Sequence, residues 1–363
     1  MERIMINVPA STQDITIDWL NRALKEAGCL SGSIIELELE TIGEGVGLMG
    51  ELARCHLVYD GPESLPGTII AKCAAQNENR EVAKLLDFYN REINFYNHIG
   101  QDCPMRVPQS YYGAVNQDTY DCVVLMEDLG GASSRDQLLG ASTEEVYSAI
   151  REVAKLHACW WGKADLSSWM YDMMSVEEGR RLQTLIYQPA VEPAIEKFDH
   201  LLDAKTKAIL RKVGEKFPEF WVKNLSPAET FLHGDYRQDN MLYPAGESDA
   251  IVMDWQISGR GKPAFDIAYF MCQSVPSEIR ADIEQDLLSF YSAQLAELGV
   301  DYPSQQCFED YRRLVLGCLV YPVTVCGSLD VSNERGKALG ESMMMRNLAA
   351  IEDLGATALV LDL

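Results

Sequence analysis

Apolar positions in this chain change spacing along its length, and the changes mark its elements. Residues 14–28 (DITIDWLNRALKEAG) place Ile17, Leu20, Ala23 and Leu24 on one side of a helix that Gly28 ends. Residues 34–41 (IIELELET) then alternate apolar and acidic positions, the period of a strand. Further strands are predicted over 51–60, 68–75, 109–115 and 120–127. One long helix is predicted over 78–99, where Val82, Leu85, Tyr89, Ile93 and Tyr96 recur three or four apart. After residue 130 helices dominate. They are expected over 143–162, with Thr143 as cap, and in 176–223, 275–298 and 307–355. The segments HGDYRQDNMLY and AIVMDWQ read as short loop–strand elements among those helices. The layout is α+β: a small sheet-rich lobe over 1–127 and a larger, mostly helical lobe over 128–363.

Composition narrows the classes of function. Hydrophobic residues make up 47% of the 363, as in a globular protein large enough for two domains. No run of about 18 uncharged apolar residues offers a membrane span. The start, MERIMINVPASTQD, lacks the basic and then apolar order of a secretory signal. With 31 Lys+Arg against 55 Asp+Glu, the net charge of −24 repels nucleic acids and anionic membranes and suits neutral or cationic small molecules. The ten cysteines form no CxxC pair, and several sit in apolar runs. They read as free thiols in a reducing cytoplasm rather than as disulfides or metal ligands.

The chemistry concentrates in HGDYRQDN, residues 233–240. Asp235, Arg237 and Asn240 share this segment, and Asp254 follows Asn240 by fourteen residues, in IVMDWQ. Phosphoryl transfer needs such groups. Asp235 can accept the proton of an attacking hydroxyl, Asn240 and Asp254 can hold Mg²⁺, and Arg237 can offset charge on the moving phosphoryl group. Upstream, Gly45, Gly47 and Gly50 match G-x-G-x-x-G. A dinucleotide-binding unit shares this pattern, but there the loop leads into a helix. Here a strand follows, as in a hairpin that covers phosphates or in an ordinary glycine-rich turn. Lys72 lies one strand later in apolar IIAKCAA, either at a strand end facing water or held near an anion. Glu92 is the candidate to hold it, and Glu81, on nearly the same helical face, is the alternative.

The glycine loop, Lys72, Glu92, LMEDL, HGDYRQDN and DWQ occur in one order. In that order the chain resembles the kinase-like phosphotransferases: aminoglycoside, choline and ethanolamine kinases and the ecdysteroid-kinase-like group. The resemblance spans about residues 40–275. It departs from protein kinases in having HGD for HRD, DWQ for DFG and no APE segment. It implies a bilobal protein-kinase-like fold and transfer from ATP, with Mg²⁺, to a hydroxylated small molecule. It assigns Asp235 as base, Asn240 and Asp254 to the metal, and Lys72, paired with Glu92, to the α- and β-phosphates. The backbone of Glu127, Asp128 and Leu129 would take the adenine edge. Arg237 sits where protein kinases carry a lysine. His233 and Gly234 are expected to be scaffold, Asp266 to brace the catalytic loop, and His157 to be a core histidine. A nucleotide-binding pseudokinase and a protein kinase are the competing readings. For the acceptor, Trp160, Trp161, Trp169, Tyr171, Tyr187 and Trp221 offer core packing or an apolar wall. Glu229, Asp239, Glu334 and Glu341 offer a solvated surface or a place for an amino-sugar.

Overall fold

The computed structural model describes residues 6–43, 49–62, 65–163, 169–216, 218–219, 223, 226–246, 249–328 and 334–361. The chain forms two compact units. The first comprises residues 1–103, 107–131 and 254–257, and the second the remainder.

In the first unit, helix α1 (Ile17–Glu26) is capped by Thr16 Oγ1, which accepts from Trp19 N. It ends at Gly28, whose φ of +73° lets Cys29 N reach back to Leu24 O. Leu20 and Leu24 are fully buried, each worth about 2 kcal/mol of transfer free energy. They pack on a sheet of β1 (Ile34–Ile42), β2 (Gly50–Tyr59), β3 (Thr68–Ala74), β4 (Ser110–Val115) and β5 (Cys122–Glu127). The sheet is antiparallel in the order β1-β2-β3-β5-β4. Side chains alternate between its faces. Cys55, Ile69, Ala71, Cys73, Val123 and Leu125 join the core with α1. The row Leu52, Lys72, Val124 lies on the opposite face.

The glycine segment joins β1 to β2 within one hairpin, with Ile42 opposite Leu52, so a strand-to-helix dinucleotide turn is excluded. The single helix expected over 78–99 is two helices, α2 (Asn79–Leu85) and α3 (Phe88–His98). They break at Asp87, whose φ of +59° is left-handed. Aspartate tolerates that region. Its carboxylate there accepts from Tyr120 Oη at 2.5 Å and Asn90 Nδ2 at 2.7 Å.

The second unit is mostly helical. Short β6 (Ser133–Ser134) precedes α4 (Thr143–Trp160). The cap of α4 is Ser142 rather than Thr143: its Oγ accepts from Glu145 N, while Glu145 Oε2 accepts from Ser142 N, a capping box. The segment 176–223 divides into α5 (Val176–Leu182), a π-turn over Gln183–Tyr187, α6 (Gln188–Lys197) and α7 (Ala204–Lys216). Next come β7 (Thr230–Leu232), β8 (Met241–Tyr243), β9 (Ile251–Val252) and β10 (Gly259–Gly261). They form the pairs β7–β10, β6–β8 and β8–β9. The helices α8 (Ala264–Ser274), α9 (Ser277–Glu297), α10 (Ser304–Gly317), α11 (Val320–Ser328), α12 (Glu334–Asp353) and α13 (Thr357–Leu361) follow. Every residue of α8 is buried. A helix buried on all sides shows no apolar stripe, and periodicity does not reveal it.

Candidate functional site

Three of the predicted residues meet in the first unit. Lys72 Nζ lies 2.8 Å from each Glu92 carboxylate oxygen and 2.9 Å from Asp254 Oδ1. Glu92 is buried in α3, whereas Glu81 is exposed at the start of α2. Burial opposes charge on Lys72, but Asp254 and Glu92 outweigh it and hold the ammonium pKa above its ordinary value. Burial pushes the Glu92 carboxyl up, against the pull of Lys72. Asp254 has a left-handed φ of +65°, and its Oδ2 accepts from Gln256 Nε2 at 3.2 Å. Next to it, the Trp255 ring stacks on Phe95 of α3 with centroids 3.8 Å apart and planes 3° from parallel. Trp255 thereby ties the aspartate turn to the helix that carries Glu92.

Gly50 opens β2 beside Lys72. A Cβ there would stand 3.1 Å from Lys72 Cε and 3.2 Å from Cys73 O, so glycine gives the lysine stem its path. Gly45 and Gly47 lie outside the described residues. At the end of β5, Glu127 N donates to Gln109 O and Glu127 Oε2 accepts from Gln109 N. The Asp128 carboxylate takes Arg54 Nε at 2.8 Å and Gly130 N at 3.0 Å. Burial alone would raise the Asp128 pKa, but the Arg54 bond lowers it below the usual carboxylate value. Leu129 is half-buried.

The catalytic-loop candidates belong to the second unit, between β7 and β8. Asp266 of α8 holds the loop's entry. Its Oδ2 accepts from His233 N at 2.8 Å and its Oδ1 from Gly234 N at 2.9 Å. Gly234 has a φ of +82°, a turn that glycine adopts without steric cost. His233 Nδ1 accepts from Asp235 N, so Nε2 carries the proton and donates to Met253 O at 2.9 Å. The Asp235 carboxylate is almost fully buried and held at both oxygens. Oδ1 accepts from Tyr269 Oη at 2.7 Å and Oδ2 from Asn240 Nδ2 at 2.9 Å. Arg237 Nε lies 3.2 Å from Oδ1 and 3.3 Å from Oδ2, and its Nη1 reaches Gln137 Oε1 at 3.1 Å and Asp239 Oδ2 at 3.3 Å. Asn240 Nδ2 donates also to Asp235 O. Its Oδ1 is therefore the acceptor that a hard cation would meet, and Asn240 and Asp254 both offer the oxygen donors such an ion takes. Among the described residues no three of His, Cys, Asp or Glu form a metal-binding group.

His157 is fully buried, with Nδ1 2.7 Å from Tyr291 Oη and Nε2 3.3 Å from Asp266 Oδ2. It is a satisfied core histidine that touches the same brace. Tyr269, Gln137, Arg54 and Phe95 were missed by sequence reasoning. Their contacts span 34, 100, 74 and 160 residues, and no local pattern encodes them. Among the acceptor candidates, Tyr187 is fully buried with its hydroxyl on Leu210 O, Trp160 packs on Phe231, and Trp161 packs on Tyr302. Trp169, Tyr171 and Glu229 are half-buried, and Trp221 lies outside the described residues. Asp239 is taken up by Arg237 and by Arg335, whose Nη2 is 3.3 Å from Asp239 Oδ1. Glu334 and Glu341 are exposed.

The ecdysteroid kinase-like family model matches residues 45–300, and the chain belongs to that family. Its fold is kinase-like. A putative aminoglycoside phosphotransferase from Ralstonia eutropha JMP134 superposes with a TM-score of 0.54 at 15% identity, over 91% of this chain and 98% of that one. A mutant of aminoglycoside 2'-phosphotransferase-IIIa in complex with GDP gives 0.52 at 13%, over 89% and 95%. The choline kinase LicA from Streptococcus pneumoniae gives 0.50 at 14%, over 88% and 94%. No curated protein sequence matches. No helix among the described residues is long and apolar enough to cross a membrane.

Proposed function

We propose that the protein is an ATP-dependent, Mg²⁺-requiring small-molecule kinase of the cytoplasm that transfers the γ-phosphoryl group to a hydroxyl of its acceptor. The observation that carries this is the Asp235 carboxylate. It is buried, braced through Asp266, and held at each oxygen by a separate donor, Tyr269 and Asn240. A carboxylate so fixed suits proton acceptance from an attacking hydroxyl at the moment the bond to phosphorus forms. Bound Mg-ATP supplies the phosphoryl group. Lys72, kept charged by its two carboxylates, binds the α- and β-phosphates. Gly45, Gly47 and Gly50 allow backbone approach to the phosphates. Asn240 and Asp254 bind the metal, the backbone of Glu127, Asp128 and Leu129 holds the adenine edge, and Arg237 offsets developing charge. The acceptor is a hydroxylated small molecule. The net charge of −24 disfavours nucleic acid as a partner, and the many buried free thiols suit a reducing compartment.

Calorimetric titration with Mg-ATP beside a turnover assay separates the roles. Asp235→Ala is expected to bind Mg-ATP with near wild-type affinity and to lose transfer. Asp254→Ala is expected to lose affinity itself. Wild-type turnover in Asp235→Ala would refute the base assignment.

A further inference from the structure

The Asp235 carboxylate has two oxygens, and the structure anchors them differently. Oδ1 takes the Tyr269 hydroxyl at 2.7 Å, Oδ2 takes Asn240 Nδ2 at 2.9 Å, and Arg237 Nε lies across both at the longer distances of 3.2 and 3.3 Å. Each oxygen has two acceptor positions. One is used by a short anchoring bond, and the second lies on the Arg237 edge. Rotation of a carboxylate about its terminal bond is soft and roughly two-fold, so a single anchor does not fix that edge. Asn240 is one anchor, but it is also assigned to the metal. Tyr269 has no such second duty.

We propose that Tyr269 is a positioning residue for phosphoryl transfer, holding Oδ1 of Asp235 so that the carboxylate edge beside Arg237 faces the acceptor hydroxyl. This rests on Asp235 being the base. Tyr269 is itself rigidly placed. It is almost fully buried in α8, three residues after the brace Asp266, with its ring 4.2 Å from that of Tyr321 and 6.0 Å from that of Phe265. The Tyr321 hydroxyl in turn donates to Gly234 O at 2.5 Å. One helix therefore fixes the catalytic loop twice, at its backbone through Asp266 and at its reacting side chain through Tyr269. Burial holds the Tyr269 phenol well above its ordinary pKa. It stays protonated at neutral pH and acts only as a donor to the carboxylate.

The test is Tyr269→Phe in the full chain, assayed with Mg-ATP on pooled hydroxylated acceptors and on water as the acceptor (basal phosphate release). Losing one hydrogen bond of about 1.4 kcal/mol predicts a kcat about tenfold lower. KM for Mg-ATP is expected to stay within about twofold, because Tyr269 touches no group assigned to the nucleotide. A thermal double-mutant cycle reads the contact without any turnover. Tyr269→Phe lowers Tm in the wild type, but is neutral or stabilising in Asp235→Ala, where the phenol has lost its partner. Wild-type kcat in Tyr269→Phe, a parallel rise in KM for Mg-ATP, or additive Tm changes would overturn the proposal. Full turnover in Asp235→Ala would instead overturn the base assignment. Loss of turnover in Asp235→Ala with full turnover in Tyr269→Phe would remove Tyr269 alone.

Discussion

Replacing Glu92 by glutamine tests how Lys72 is held. The Lys72 and Glu92 side chains are only 13% and 4% exposed, against 48% and 60% for the surface pair Arg211–Glu192. Exposed pairs contribute about 0–1 kcal/mol, whereas breaking a buried pair by removing one partner costs about 3–5 kcal/mol. Two features reduce the cost here. Asp254 remains 2.9 Å from Lys72 Nζ, and the glutamine carbonyl still accepts one hydrogen bond. The expected loss in the orientation of Lys72 is about 2 kcal/mol, or roughly 30-fold in affinity at 1.36 kcal/mol per factor of ten. Titration of Mg-ATP into Glu92→Gln reads it, with Glu81→Gln as the exposed control that changes nothing. Equal affinities for the two variants would refute the buried-pair reasoning.

Two further substitutions probe the scaffold. Gly327→Ala would drive a Cβ into the Ala190 carbonyl where α11 crosses α6, and is expected to destabilise the second unit by about 1–3 kcal/mol in urea unfolding. An unchanged midpoint would mean that the two backbones do not touch. Asp128→Asn removes a carboxylate whose folded pKa the Arg54 bond depresses, against the opposing effect of burial. The stability it confers is therefore present above the unfolded pKa and lost as pH falls through the folded one. Thermal scans are expected to show the variant less stable than wild type at pH 7, with the gap closing on acidification through the carboxylate range. A gap independent of pH would contradict that linkage.

Much of this molecule is legible in its sequence because the signals are local. Period-two alternation marks β1, Gly28 ends α1, and the spacing within HGDYRQDN already joins a carboxylate, a cation and an amide in one loop. The failures have physical causes. The apolar spacing of Val82, Leu85, Tyr89 and Ile93 runs through Asp87 uninterrupted, because a single left-handed residue breaks a helix without resetting its period. Ser142 with Glu145 spells a capping box that the neighbouring Thr143 obscures. Helix α8, buried throughout, has no polar face to reveal it. Arg54 with Asp128, Phe95 with Trp255, and Tyr269 with Asp235 are partnerships made by tertiary packing, and each residue alone looks ordinary. The acceptor is the least legible part, since several of the aromatics that could have lined it are used in packing: Trp160 on Phe231, Trp161 on Tyr302 and Tyr187 in the core.

The central claim is tested most directly by incubating the full chain with Mg-ATP and separate pools of aminoglycosides and macrolides, hydroxylated sterols and lipids, and amino-alcohols and sugars, with mass spectrometry as the readout and Asp235→Ala in parallel. A phosphate-sized mass gain in one pool, absent with the variant, is the predicted result. Mg-ATP binding without a mass gain in any pool, or a gain that Asp235→Ala retains, would contradict a small-molecule kinase that uses Asp235 as its base.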